Sequence, residues 1–326
     1  MIASRANPKR GNSVLSNNRG SCRSLHPKGS IGCVMTTTLV NAAASGTFAL
    51  GGDLHIHRLG FGAMRITGEG IWGEPKVPEK AKQVLRRAVE LGVNFIDTAD
   101  SYGPEVSERL IAEALHPYPA GLVIATKGGF TRSGPNRWAP VGRPEYLRQC
   151  VEMSLRRLKL ERIDLWQFHR IDPKVPLEES LGAIKEMQNQ GKIRHVGLSE
   201  VTSTEIERAK KTVPIVSVQN QYNIAHRKYE STVVYCQHHK LGFIPWFPVA
   251  AGALARPGGP LDAAAKRHHA TVAQLSLAWL LHHSPVMLPI PGTSSLEHLE
   301  ENIAAAAVKL SAHEWQEIEN DAKKTK

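Results

Sequence analysis

From Thr47 onward, short apolar runs alternate with longer stretches whose apolar residues recur at helical spacing. The strand-like runs are HRLGFGAM (57–64), NFIDTA (94–99), LVIATK (122–127), IDLWQFH (163–169), RHVGLS (194–199), IVSVQN (215–220), GFIPWF (242–247) and VMLPIP (286–291). Between and after them lie eight stretches of helical period, from EKAKQVLRRAVELG at 79–92 to LEHLEENIAAAAV at 296–308. Gly92, Gly191 and Gly242 each follow such a stretch, where a helix-ending glycine is expected. Strict strand–helix alternation implies parallel strands joined by helical crossovers. Eight units in roughly 250 residues predict an α/β fold, a closed (β/α)8 TIM barrel. The structural alternative, an open doubly wound sheet, lacks its G-x-G-x-x-G turn after the first strand, since GFGAM is not that pattern. Ahead of the first barrel strand, Gly51-Gly52-Asp53 between two apolar stretches predicts a β-hairpin. That hairpin is expected to cover the bottom of the barrel, opposite the face where chemistry occurs.

Composition changes this picture mainly at the N-terminus. The 326 residues are 41% hydrophobic and 22% charged, ordinary globular proportions. No apolar run approaches the 18 residues of a membrane span. The net charge of +11 invites a nucleic-acid reading. However, Arg5, Lys9, Arg10, Arg19, Arg23 and Lys28 supply six of those charges within an acid-free tail. No basic stripe with interleaved aromatics follows, so neither nucleic acid nor membrane is an expected partner. Residues 1–45 are expected to be a disordered basic extension, and 46–326 a single barrel domain. The tail admits three readings: a transit peptide, a basic arm, or an over-extended start with Met35 opening the folded chain. The last is favoured. Cys22, Cys33, Cys150 and Cys236 form no C-x-x-C pair, which suits a reduced, cytoplasmic protein.

The candidate chemistry lies where strands end. FIDTA ends near Asp97, VIATKGG carries Lys127, WQFHRID carries His169, and Tyr102 follows Asp97 on a Gly/Pro-marked loop. A barrel brings such ends to one mouth. A cation beside a phenol lowers the phenol's pKa, and a carboxylate can hold that cation charged. A histidine beside them can orient a carbonyl. The set reads as a proton donor for a carbonyl oxygen. No nucleophilic serine or cysteine lies among these groups, and no H-E-x-x-H or other metal spacing occurs, so no metal is expected. Electrons would then come from a hydride donor such as a nicotinamide. Ser199 and Gln219 can bond a carboxamide, and Trp246 can stack on a flat ring. Gly292, Thr293, Ser294 and Ser295 precede a helix and form either an anion site or a simple N-cap.

FIDTADSYG, ATKGG, GKIRHVGLSEV, VQNQYN and PIPGTSSLEHLEEN occur in that order, and the chain from about Thr47 onward resembles the aldo-keto reductase superfamily. The resemblance implies a (β/α)8 barrel with NADPH extended across the strand ends, NADH being less favoured. It implies a catalytic set of Tyr102 as proton donor, Lys127 as its pKa partner, Asp97 paired with Lys127, and His169 orienting the substrate. It further implies Ser199, Gln219 and Trp246 beside the nicotinamide, and Gly252 and Leu254 over the pyrophosphate. Gly292 to Ser295 and Asn302 would lie at the adenosine-phosphate end, with Glu301 beside the adenine. Two positions depart from the family's pattern: Glu200 stands where Asn often follows the serine, and His298 where an Arg often meets the 2′-phosphate.

GIWGEP, YNIAHR and AWLLHHSP resemble the bacterial pyridoxal reductase-like branch, with loops expected to shape the substrate mouth. Arg65, Trp72, Trp138 and Arg170 are the candidate substrate-loop residues. The expected activity is NADPH-dependent reduction of an aldehyde or ketone, with pyridoxal to pyridoxine as the specific hypothesis, by a monomer or weak homo-oligomer. Two other functions fit parts of the pattern: a Schiff-base enzyme using Lys127, and a cofactor-binding sensor without significant turnover.

Overall fold

The computed structural model describes residues 40–249 and 260–324. A hairpin of β1 (Thr47–Leu50) and β2 (Leu54–His57) comes first. The sheet strands follow: β3 (Phe61–Gly62), β4 (Phe95–Asp97), β5 (Val123–Gly128), β8 (Ile163–Phe168), β9 (Ile193–Ser199), β10 (Ile215–Gln219) and β11 (Gly242–Phe243). They pair in that order, all parallel, as a seven-stranded sheet. Helices α1 (Pro78–Glu90), α2 (Val106–Leu115), α3 (Pro144–Leu158), α4 (Leu177–Asn189), α5 (Ser203–Lys210) and α6 (Glu230–His239) alternate with the strands. After β11 come α7 (Pro260–Arg267), α8 (Val272–His283), α9 (Leu296–Ala304) and α10 (Ala312–Lys324). No described helix is long and apolar enough to cross a membrane.

The eighth strand predicted at 286–291 is not a regular strand, and the reason is covalent. Pro289 and Pro291 have no N–H to give to a ladder. The segment still closes the ring. Phe243 N donates to Val286 O at 2.8 Å and Leu288 N to Phe243 O at 2.8 Å. On its other side, Gly60 N donates to Pro289 O at 2.9 Å. The prolines accept where they cannot donate, so the barrel closes through their carbonyls.

The hairpin caps the end of the barrel where the strands begin. Leu50, Leu54 and Ile56 are buried in one cluster with Phe95, Val123, Leu165 and Ile244. Asp53, in its turn, bonds Arg194 Nη2 at 2.7 Å and His195 Nε2 at 2.6 Å, both on β9. Side-chain alternation then sets the interior. Phe95 and Asp97 share one face of β4, Val123, Ala125 and Lys127 one face of β5, and Leu165 and Gln167 one face of β8. Each strand is apolar where it starts and polar where it ends.

Three expectations need correction. Residues 40–45, assigned to the extension, belong to the fold: Asn41 caps a 3-10 turn at Ala42–Ser45, and Ala42 is fully buried with its N–H bonded to Leu91 O. Residues 1–39 lie outside the described residues. Gly242 does not end a helix; Lys240 does, in the left-handed conformation. A Cβ on Gly242 would lie 2.7 Å from Leu288 Cδ1 and 2.8 Å from Leu50 Cδ1, so a larger residue would make those buried side chains shift. Gly92, by contrast, does follow α1 at φ +81°. Finally, the helical rhythm missed α7, α10 and a second hairpin, β6 (Phe130–Gly134) with β7 (Arg137–Pro140), inserted after β5.

Candidate active site

The β3, β4, β9 and β10 strand ends, with His169 just past β8, open on a cavity of about 630 Å³. Its floor is a buried ionic network. Lys127 Nζ donates to Asp97 Oδ2 at 2.5 Å and to Thr98 O at 2.7 Å. Asp97 Oδ1 accepts from Gln167 Nε2 at 2.9 Å and from Gln219 Nε2 at 2.8 Å. Four donors and acceptors thus satisfy two charges removed from water, the condition under which a buried pair survives. Lys127 Nζ lies 5.1 Å from the centroid of the Tyr102 ring. His169 stands edge-on to Tyr102, with ring centroids 5.9 Å apart, and its Nδ1 pairs with Ser101 Oγ at 3.3 Å.

The electrostatics correct one expectation. Burial pushes the Tyr102 phenol above its ordinary value, although the Lys127 ammonium pulls it down. The phenol is therefore held protonated rather than acidified. Burial works against the Lys127 ammonium, but the Asp97 carboxylate offsets it and the amine stays charged. Burial, with Lys127, Arg170 and Arg132 nearby, drives the His169 imidazole well below the usual histidine range, so the ring is neutral. Among the described residues its Nε2 has no hydrogen-bond partner.

The cavity wall gathers many of the sequence-predicted residues. Asp97, Tyr102, His169, Ser199, Gln219, Trp246, Gly292 and Asn302 line it, as do Arg65, Trp138 and Arg170. Thr293 and Ser294 line a neighbouring cavity of about 650 Å³, which shares Arg65 and Gly292 with the first. Ser295 accepts from His298 N as the N-cap of α9, and His298 is exposed. Glu301 lines neither cavity. Gly252 and Leu254 lie outside the described residues.

Other expectations shift. Trp72 does not line the main cavity; its neighbour Ile71 does, and Trp72 is 36% exposed beside Arg132. YNIAHR and AWLLHHSP do not shape the mouth. Tyr222 donates to Glu230 Oε2 at 2.6 Å and pairs with His283 Nε2 at 2.9 Å, while Trp279 stacks on His283. Those motifs lock the loop after β10 onto α8. Trp246 is anchored by its indole N–H, which donates to Glu200 Oε1 at 2.7 Å. Glu200 also accepts from Gln221 N and Tyr229 OH. It sits at φ +57°, where Asn is tolerated better than Glu, which gives the family's usual residue a backbone reason. Arg170 Nη1 donates to Ser199 Oγ at 2.8 Å, joining two residues assigned to different ligands. Sequence reasoning missed Gln167 and Phe130. Gln167 had a signal: an amide two residues before His169, on the inward face of an otherwise apolar strand.

Behind the Tyr102 loop, Asp100 is buried, and its Oδ1 has no hydrogen-bond partner. Burial, with the Glu108 charge adding, raises its carboxyl to about 7 from 3.8. Between those values the folded state holds a proton that the unfolded chain lacks. Stability from this group is therefore greatest at low pH and is lost as pH rises through about 7. Asp100→Asn should gain stability relative to wild type between pH 5 and pH 8, by on the order of a few kcal/mol. Urea unfolding of both proteins at the two pH values checks this; an unchanged difference would sink it.

Comparison with known proteins is consistent with this geometry. Residues 58–322 match the model of the aldo/keto reductase family. An uncharacterized oxidoreductase of Schizosaccharomyces pombe is 53% identical over 287 residues, covering 88% of this chain and 93% of its own. Pyridoxine 4-dehydrogenase of Escherichia coli K12 is 42% identical over 274 residues, covering 82% and 95%. The holo form of an aldo-keto reductase from Bacillus halodurans superposes with a TM-score of 0.72 at 29% identity, covering 84% of this chain and 95% of that one. Among the described residues, no group of three or more His, Cys, Asp or Glu is placed to hold a metal.

Proposed function

Because the chain belongs to the aldo/keto reductase family, and is thereby an oxidoreductase, we propose that it reduces an aldehyde or ketone to the alcohol with NADPH, Tyr102 donating the proton. One observation carries this reading: a protonated phenol above a buried Asp97–Lys127 pair, in one cavity with a neutral histidine. When bound, the reduced nicotinamide supplies the hydride that the carbonyl carbon accepts. Tyr102 gives its hydroxyl proton to the carbonyl oxygen, and the Lys127 ammonium stabilises the phenolate left behind. Asp97 keeps Lys127 charged throughout. His169, neutral and with Nε2 unpaired, bonds the carbonyl oxygen and orients it. Met64, Ile71, Phe130 and Trp138 give the cavity an apolar wall beside Tyr102 and His169.

The residues present fit the cofactor. Ser199, Gln219 and Asn302 offer hydroxyl and amide groups in the main cavity, with Trp246 as a flat wall. Thr293 and Ser294 offer hydroxyls where the second cavity begins, beside the N-terminus of α9. These would hold the nicotinamide and phosphate ends respectively. His298, exposed on the first turn of α9, is the candidate for the 2′-phosphate, in the place where the family often has an Arg. As substrate we favour pyridoxal, reduced to pyridoxine. Support comes from the 42% identity to a pyridoxine 4-dehydrogenase and from a cavity whose walls are aromatic with Arg65 and Arg170 among them. Buried free Cys150 and Cys236 suit a cytoplasmic enzyme, which we take to be a monomer or weak homo-oligomer.

Absorbance at 340 nm tests this, with NADPH and then NADH against pyridoxal and simple aldehydes. NADPH oxidation with pyridoxal well above background is expected, and slower oxidation of NADH. Oxidation with simple aldehydes but not pyridoxal would overturn the substrate. Tight NADPH binding without any turnover would favour a sensor.

A further inference from the structure

Arg132 lies on β6, one residue outside every set assigned above, and it has no carboxylate partner among the described residues. Its five N–H groups instead meet five main-chain carbonyls. Nε donates to Arg137 O at 2.9 Å, Nη1 to Ile71 O at 2.9 Å and Ser101 O at 2.6 Å, and Nη2 to Gly70 O at 3.2 Å and Gly134 O at 3.4 Å. Those carbonyls belong to three segments: the loop after β3, the loop that carries Tyr102, and the β6–β7 hairpin. The guanidinium carbon also lies 3.5 Å from the centroid of the Trp138 ring, on β7. Trp138 in turn meets Tyr102 and His169 edge-on, each at 6.3 Å between centroids.

A two-stranded hairpin is marginal by itself, and this one bulges between Arg132 and Gly134. Something must hold it over the cavity. Only a guanidinium offers five donors in a rigid planar fork; an ammonium has three on one atom. We propose that Arg132 is a positioning residue: it staples the β6–β7 hairpin to the Tyr102 loop, fixes Trp138 as a wall of the cavity, and so selects flat ring-bearing aldehydes over small aliphatic ones. The selectivity follows from contact. A flat ring gains from a fixed indole, whereas a three-carbon aldehyde barely reaches it. This inference rests on the reductase reading for its substrate half.

Arg132→Lys and Arg132→Gln test it, with pyridoxal and benzaldehyde compared against propanal and NADPH as reductant. The expected result is a fall of about tenfold or more in the ratio of aromatic to propanal kcat/KM, mostly through KM, with the NADPH dissociation constant within about twofold. Equal losses for both substrate types, or no loss, overturn the selectivity. Acrylamide quenching of Trp138 is the second arm, read as the difference between each variant with and without Trp138→Phe. Quenching should rise in Arg132→Lys; unchanged quenching overturns the staple. If wild type turns over no aldehyde, the reductase reading fails along with the selectivity. The quenching arm still decides the staple, and the Lys variant carries both arms if the Gln variant does not fold.

Discussion

Tyr102→Phe is expected to lower kcat for aldehyde reduction by about 10²–10⁴-fold, the usual worth of a positioned proton donor. NADPH affinity should stay within about twofold. The substitution removes one hydroxyl from a ring already packed against His169, Trp138 and Lys127, so the wall keeps its shape. The pH profile gives an independent check. With Tyr102 as the proposed donor, reduction needs the protonated phenol, and activity should fall as pH rises through the phenol's pKa. Burial holds that pKa above the ordinary tyrosine value, so the wild-type rate should stay flat from pH 6 to 9 and fall only beyond. His169 is neutral over that span and should add no inflection near 6.5. A steep decline between pH 7 and 8, or a Phe variant with near wild-type kcat, would contradict the assignment of Tyr102.

Lys127→Met should cost both activity and stability. The Lys127 and Asp97 side chains are 0% and 2% exposed, so removing the cation strands a carboxylate where water cannot reach it. Breaking a buried pair from one side costs about 3–5 kcal/mol. Gln167 and Gln219 still donate to Asp97 Oδ1, which places the expected loss toward the lower end. Adding Asp97→Asn removes the stranded charge and should recover part of it, since neighbouring sites are not additive. Urea unfolding of the single and double variants reads the coupling directly. A single variant within 1 kcal/mol of wild type would mean that the pair is not the anchor of this site.

Much of this was legible along the chain, for a local reason. A strand that starts apolar and ends on Asp97 or Lys127, or just before His169, announces both its burial and the face that carries chemistry, because alternation by two and the strand-end rule are properties of single elements. The start of α9 was legible for the same reason: Ser295 caps it through the backbone of His298, three residues on. What failed to show was whatever depends on partners distant in sequence. Nothing along the chain ties Trp246 to Glu200, 46 residues earlier, which takes its N–H. Arg132 reads as a surface arginine until loops 31 and 61 residues away bring their carbonyls to it. YNIAHR reads as a mouth loop until His283 turns it toward α8.

Periodicity along the chain carries the alternation of elements, the barrel, and the residue types at its open end. These follow from periodicity and from which side chains tolerate burial. Folding, not periodicity, makes the last strand close through proline carbonyls, holds the Tyr102 phenol protonated rather than acidified, and brings the wall residues together. Each of those turns on desolvation or on hydrogen bonds between distant segments, quantities that exist only once the chain has folded.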